Sequence, residues 1–252
     1  MSNSRTREER VVANSFATEC LRNVADTDYI AARMHYKLGL IEQFQWSALQ
    51  AIEKYLKATL LYNGYSAKGL SHNLTEALRR VEKITEFDIE LQDRERRLIQ
   101  HLDENGQNRY LEQHSFTLGN ELLWLDSTVW SLRRYCQVLN HTITDTKNQS
   151  VNMPELNLKA IHSDFYKKNP QKFKLIGGFL ETILDGHKGK ELREQLIWKN
   201  FKYGKRRKNV IKNLTFRGHS VTPPHIRDPK RFKLLDKYVD FPQRIKKLFV
   251  RE

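Results

Sequence analysis

Residues 50–64 read QAIEKYLKATLLYNG. Taken with Phe44 and Ala48 just upstream, Ile52, Tyr55, Leu56, Thr59 and Leu60 recur every three or four positions. That is the spacing of one face of a helix. Glu53, Lys54 and Lys57 fall off that face, and Glu53 with Lys57 forms an i,i+4 pair in the favoured order. Asn63-Gly64 supplies the stop, because glycine takes the left-handed backbone that ends many helices.

The pattern extends in both directions from this helix. Upstream, Ile30, Met34, Leu38 and Ile41 trace one helical stripe, with Asp26 or Thr27 as its cap. Downstream, Leu74, Leu78, Val81 and Ile84 begin another, with Ser71 or Asn73 as cap. Phe87, Leu91, Leu98 and Leu102 continue the pattern up to a turn at Asn105-Gly106. Leu118, Leu122, Leu125, Val129, Leu132, Cys136 and Leu139 then alternate spacings of four and three. This is the seam of a helix packed lengthwise in an antiparallel bundle. Trp124, Trp130 and Tyr135 widen its apolar surface, either to fill a core or to build a dimer face. The expected fold class is mainly α. An antiparallel helical bundle over residues 1–140 is followed by a polar linker at 141–157. A smaller, basic and mostly helical domain at 158–252 completes the chain. In that last part, Ile176, Phe179, Leu180 and Ile183 predict a short helix closed by Asp185-Gly186. Leu192, Leu196, Ile197 and Phe201 predict another, and Asp228-Pro229 a helix start.

Charge divides the chain at the same place. The net charge of the 252 residues is +14. Residues 1–150 carry 19 Lys and Arg against 20 Asp and Glu, and residues 151–252 carry 25 against 10, so all the excess lies in the second part. A segment this basic needs an anionic neighbour, and polyphosphate is the usual one. No run of 18 apolar residues exists, so the chain is expected to have no membrane partner. The polar start, MSNSRTREERVV, lacks the apolar core of a secretory leader. The two cysteines, Cys20 and Cys136, have no C-x-x-C spacing, which fits a reduced, cytoplasmic protein without a cysteine zinc site. No cofactor and no metal site is expected. P-loop, dinucleotide-binding and H-E-x-x-H motifs are absent, and His162-Ser163-Asp164 alone is not a metal site.

Residues 50–64, followed seven residues later by HNLTEAL, resemble the HEPN family of small helical domains. The matching positions are Gln50, Ala51, Glu53, Lys54, Leu56, Lys57, Ala58, Gly64, His72 and Leu74, with Arg109-Tyr110 standing where the family often has Arg-Tyr. The resemblance covers about residues 20–140. It implies a four- or five-helix antiparallel bundle, often dimeric, in systems that handle RNA or nucleotides, such as toxin–antitoxin pairs and phage defence. It also implies, for the catalytic branch, an R-x4-6-H motif beside the last long helix.

Arg109 and His114 fit that motif and lie at the entry to the last predicted helix. A histidine can take the 2′-OH proton and protonate the leaving oxygen near neutral pH, and an arginine can hold the charge growing on the phosphate. Resemblance makes His114 the acid/base and Arg109 the phosphate clamp. Spacing alone decides nothing. The chain holds four such matches, the others being Arg94 and Arg96 to His101 and Arg134 to His141. Tyr110 departs from the polar residue that usually follows the family's arginine, and five residues around a regular helix point 140° apart. In the basic half, Lys205, Arg206, Arg207 and Lys208 follow Trp198, Phe201 and Tyr203, and Arg217 with His219 forms a second basic site. Cations beside aromatics suit single-stranded RNA, where rings stack on bases. The expected partners are RNA or another nucleic acid and a second copy of the chain. The expected function is RNA binding, with metal-independent endoribonuclease chemistry at Arg109 and His114. The alternative is a non-catalytic HEPN module that binds a nucleotide or docks on an acidic protein partner as an adaptor.

Overall fold

A computed structural model of the protein describes residues 6–106, 120–139, 142–144, 150–204, 228–238 and 246–247. Helix α1 (Arg7–Phe16) opens on a capping box. The Thr6 hydroxyl accepts the Glu9 N–H at 3.2 Å, and the Glu9 carboxylate accepts the Thr6 N–H at 2.7 Å. It continues through a π-helical turn (Ala17–Arg22) into α2 (Asn23–Leu38), which Gly39 ends at φ 79. One residue later α3 (Ile41–Tyr62) runs back along it. Tyr36 meets Phe44, His35 meets Ser47 and Asp26 meets Tyr55, the pairing of an antiparallel helix hairpin.

Helix α4 (Leu74–Val81) is capped by the Asn73 side chain, which accepts the Glu76 N–H at 2.7 Å. Its free first N–H groups, on Leu74 and Thr75, also donate to Asp103 of α5 (Asp93–Asn105). Helix α6 (Glu121–Arg133) packs against α3 and α5. Strands β1 (Thr142–Thr144) and β2 (Ser150–Asn152) pair antiparallel, with Ile143 opposite Val151. After them come α7 (Met153–His162), α8 (Asp164–Lys168), a 3₁₀ turn (Pro170–Lys172), α9 (Phe179–Leu184), α10 (Lys190–Ile197) and α11 (Pro229–Leu235). Asp228 caps α11 with Pro229 at its first position, as expected. Among the described residues no helix is long and apolar enough to cross a membrane.

The fold is mainly α, and the face predicted on α3 is buried: Phe44, Ala48, Ile52, Tyr55, Leu56, Thr59 and Leu60. Three expectations change. The stripe on α2 fails beyond Ile30, because Met34 and Leu38 are exposed and Ile41 belongs to α3. The buried face of α2 is instead Ala25, Asp26, Tyr29, Ile30, Ala32 and Arg33, so Asp26 is a buried mid-helix residue and not a cap. Glu53 is buried, not off-face. Helix α6 stops at Arg133. Cys136 and Leu139 remain buried beyond it, and Leu118 lies outside the described residues.

The stretch expected as a plain linker holds the two strands and the start of α7. The basic part that follows shares the bundle's core. Ile161, Leu180, Ile183, Leu196 and Tyr203 belong to one buried cluster with Ala25, Ile52, Leu102 and Val129. Ile176, expected inside, is almost wholly exposed.

Two buried ionic knots make the junction. Arg133 of α6 reaches Asp26 of α2 through Nε at 2.8 Å and Glu181 of α9 through Nη2 at 2.6 Å. The Tyr55 hydroxyl and the Leu180 N–H donate to Asp26 as well. A Cβ on Gly178 would lie 1.9 Å from a Glu181 oxygen, so a side chain there would push on this ion pair. In the second knot Arg33 pairs with Asp126 of α6 and donates to the carbonyls of Gln195 in α10 and of Trp198 just after it. Tyr29 donates to Asp126 at 2.6 Å, and Asn200 donates to the Tyr29 oxygen at 2.8 Å.

Candidate functional site

Arg109 and His114 lie outside the described residues, as do Lys205, Arg206, Arg207, Lys208, Arg217 and His219. What the structure describes is the frame on either side of them. Residues 107–119 join the end of α5 to the start of α6. Both ends are tied to one buried polar cluster. His101 of α5 is its centre. Its Nε2 lies 3.3 Å from Glu121 Oε1 of α6 and 3.3 Å from Gln45 Nε2 of α3, and its Nδ1 lies 3.3 Å from Asn105 Nδ2. Asn105 also donates to the His101 carbonyl at 2.9 Å, closing the last turn of α5. Nδ1 can accept from Asn105, while Nε2 faces both a carboxylate acceptor and the Gln45 amide donor and can serve only one of them at a time. Gly106 lets this end approach α3, because a Cβ there would meet the Leu102 carbonyl at 2.6 Å and the Leu49 side chain at 2.9 Å.

A second cluster holds the signature residues of α3. Glu53 accepts from Lys57 at 2.5 Å and pairs with His72 Nδ1 at 2.8 Å. Lys57 also donates to the Ser71 carbonyl at 2.9 Å, and the His72 ring meets Trp46 edge-on. Lys54 donates to Asp28 of α2 at 2.7 Å and to Gln50 at 2.9 Å. The E-K-x-L-K run and the later histidine thus tie the loop before α4, and α2, to one helix. Their described partners make them a clamp on the fold.

The remaining histidine matches separate by environment. Arg96 pairs on the surface with Glu82, while its formal partner His101 is buried and turned to Glu121. Arg134 is buried just past α6, and His141 is outside the described residues.

The approach to the basic run is cationic and aromatic. Lys37 and Lys199 stand 5.3 and 5.2 Å from the Trp198 ring centroid, and Lys202 stands 4.5 Å from that of Trp130. Phe201 is partly exposed, whereas Tyr203 is buried and belongs to the core.

Residues 18–120 match the model of the HEPN domain family. The chain carries a HEPN domain. The match takes in α2, α3 with its clamp, α4, α5 and the segment 107–119 that holds Arg109 and His114. No family model matches the region after the HEPN domain. No curated protein and no solved structure gives a match. Two features of the fold were not read from the sequence. The His101 cluster was hidden because its residues are polar and far apart in the chain, although His101 stood in two of the four spacing matches. The ionic knots were hidden because Asp26, Arg33, Asp126 and Arg133 look like surface residues until their partners are known.

Proposed function

We propose that this HEPN-domain protein binds single-stranded RNA through its basic second part and cuts it without a metal, using His114 as acid/base and Arg109 as phosphate clamp. The observation that carries the reading is the placement of their segment. It lies within the HEPN match, between two helix ends that Gln45, His101, Asn105 and Glu121 tie to one buried cluster. Catalysis needs reacting groups on a rigid frame, and this cluster supplies one. Two of the described histidines have other duties, His72 with Glu53 and His101 with Glu121. The family's habit of facing two such pairs across a dimer extends the proposal to a homodimer.

Binding is tested by titrating a single-stranded RNA at several salt concentrations. The wild-type affinity should fall steeply with salt, and neutralising Lys205, Arg206, Arg207 and Lys208 together should flatten the slope by roughly three units, at about 0.7 per phosphate on single strands. An unchanged slope removes the basic run from the interface. RNA binding with no cleavage leaves the non-catalytic HEPN module. An acidic protein partner recovered with no RNA affinity leaves the adaptor.

A further inference from the structure

Of the buried arginines among the described residues, Arg134 is the one with a nitrogen that finds no partner. Arg33 has Asp126, Arg133 has Asp26 and Glu181, and Arg22 donates to the Cys136 and Gly177 carbonyls. Arg134 is 2% exposed. Its Nη1 donates to the Ile161 carbonyl, and its guanidinium lies 3.8 Å from the Trp130 ring centroid. Its Nε–H has no hydrogen-bond partner, and no carboxylate pairs with it among the described residues. A buried cation without a counter-ion destabilises a fold, so the open Nε–H of Arg134 calls for an anion that it could hold.

Arg134 lines a cleft of about 420 Å³ with Ile89, Leu91, Trp130, Lys167 and Lys202. That volume is within the range of small-molecule sites. Glu90 and Glu95 also line it. Glu90 is held by Lys167 at 2.9 Å and by His162 at 3.1 Å. Glu95 accepts from the Ser127 hydroxyl and from the Gln92 N–H. Both carboxylates are therefore met by donors other than Arg134. Burial lowers the pKa of Arg134, as expected for a cation that lacks a full counter-charge.

We infer that this cleft is a binding site for a small phosphate ester. The phosphate would take the open Nε–H edge of Arg134, with the ammonium groups of Lys202 and Lys167 as further charge, and the ester's apolar body would rest on Ile89, Leu91 and Trp130. A dianionic phosphate carries twice the charge of a carboxylate, so it gains more from the several cations around this cleft. The cleft is walled by α6, the start of α5 and the chain before it, Lys167 of α8 and Lys202 beyond α10, and its size suits a free small molecule. This inference is independent of the RNA reading.

Calorimetric titration of the full chain with phenyl phosphate tests it, at constant ionic strength set by chloride. The wild type should give saturable one-site binding. Arg134→Met should weaken it by about tenfold or more, since the charged partner of the phosphate is gone. Glu90→Gln should strengthen it several-fold by removing the nearest competing charge and releasing Lys167. Absence of saturable heat in the wild type overturns the site. Equal binding by wild type and Arg134→Met overturns it too, by placing the phosphate on the general basic surface. Should Arg134→Met fail to fold, the Glu90→Gln arm decides alone, and binding no tighter than wild type counts against the site.

Discussion

His101 meets the spacing of a catalytic pair with both Arg94 and Arg96, yet its ring is spent on Glu121, Gln45 and Asn105. A spacing match in one dimension says nothing of where a side chain can point. The structural role makes a specific prediction. His101→Leu removes the ring that Glu121, Gln45 and Asn105 share inside a buried polar cluster, and should cost about 1–3 kcal/mol of stability in urea unfolding. The two cysteines make another. Cys136 is wholly buried, and its thiol donates to the Tyr55 carbonyl at 3.3 Å. Burial first of all pushes its pKa up to about 12, so the reactive thiolate does not form near neutrality. Cys20 is exposed. A thiol reagent should titrate one group per native chain and two in denaturant. Two fast groups in the native protein would refute this assignment.

At the scale of elements, the helices made by apolar spacing were legible and those made by buried charge were not. The face of α3 could be read because its apolar residues recur at helical spacing. On α2 the same reasoning chose Met34 and Leu38, which are exposed, over Asp26 and Arg33, which are buried. Hydropathy assigns a carboxylate to water, and only the opposing Arg133 or Asp126 reverses that assignment. Likewise the His101 cluster at the end of α5 and the start of α6 could not be read, because its members are polar and distant in the chain. The knot on Arg133 carries a clear energetic expectation. Arg133→Met leaves Asp26 and Glu181 buried without their cation, and should destabilise the chain by about 3–5 kcal/mol in urea. Burial pushes the Glu181 carboxyl up, but the Arg133 guanidinium outweighs it and holds the group below its ordinary range. A carboxylate with a depressed folded pKa stabilises most above its unfolded value. Its contribution is therefore complete above about pH 4.3 and is lost as pH falls through the lower folded value. Acid unfolding of Glu181→Gln should lack that component. An identical acid profile would place the proton elsewhere.

Across the whole molecule, charge and packing divide the chain differently. The excess positive charge begins after residue 150, but the core does not stop there: α9 and α10 close over the bundle through Leu180, Ile183 and Leu196. Composition reports the surface and so marks the charge switch. Packing depends on partners distant in sequence and is invisible to composition. One consequence is that the segment leading to residue 204 is anchored by Asn200 and Tyr203 to the core that holds α2 and α3. The central claim, metal-independent cleavage by Arg109 and His114, is tested most directly by incubating single-stranded RNA with the purified protein in EDTA, beside His114→Ala. The account predicts EDTA-resistant cleavage that leaves 2′,3′-cyclic phosphate ends, reduced by about 10²- to 10⁴-fold in the variant. Equal cleavage by the two proteins, or none by the wild type, would contradict it.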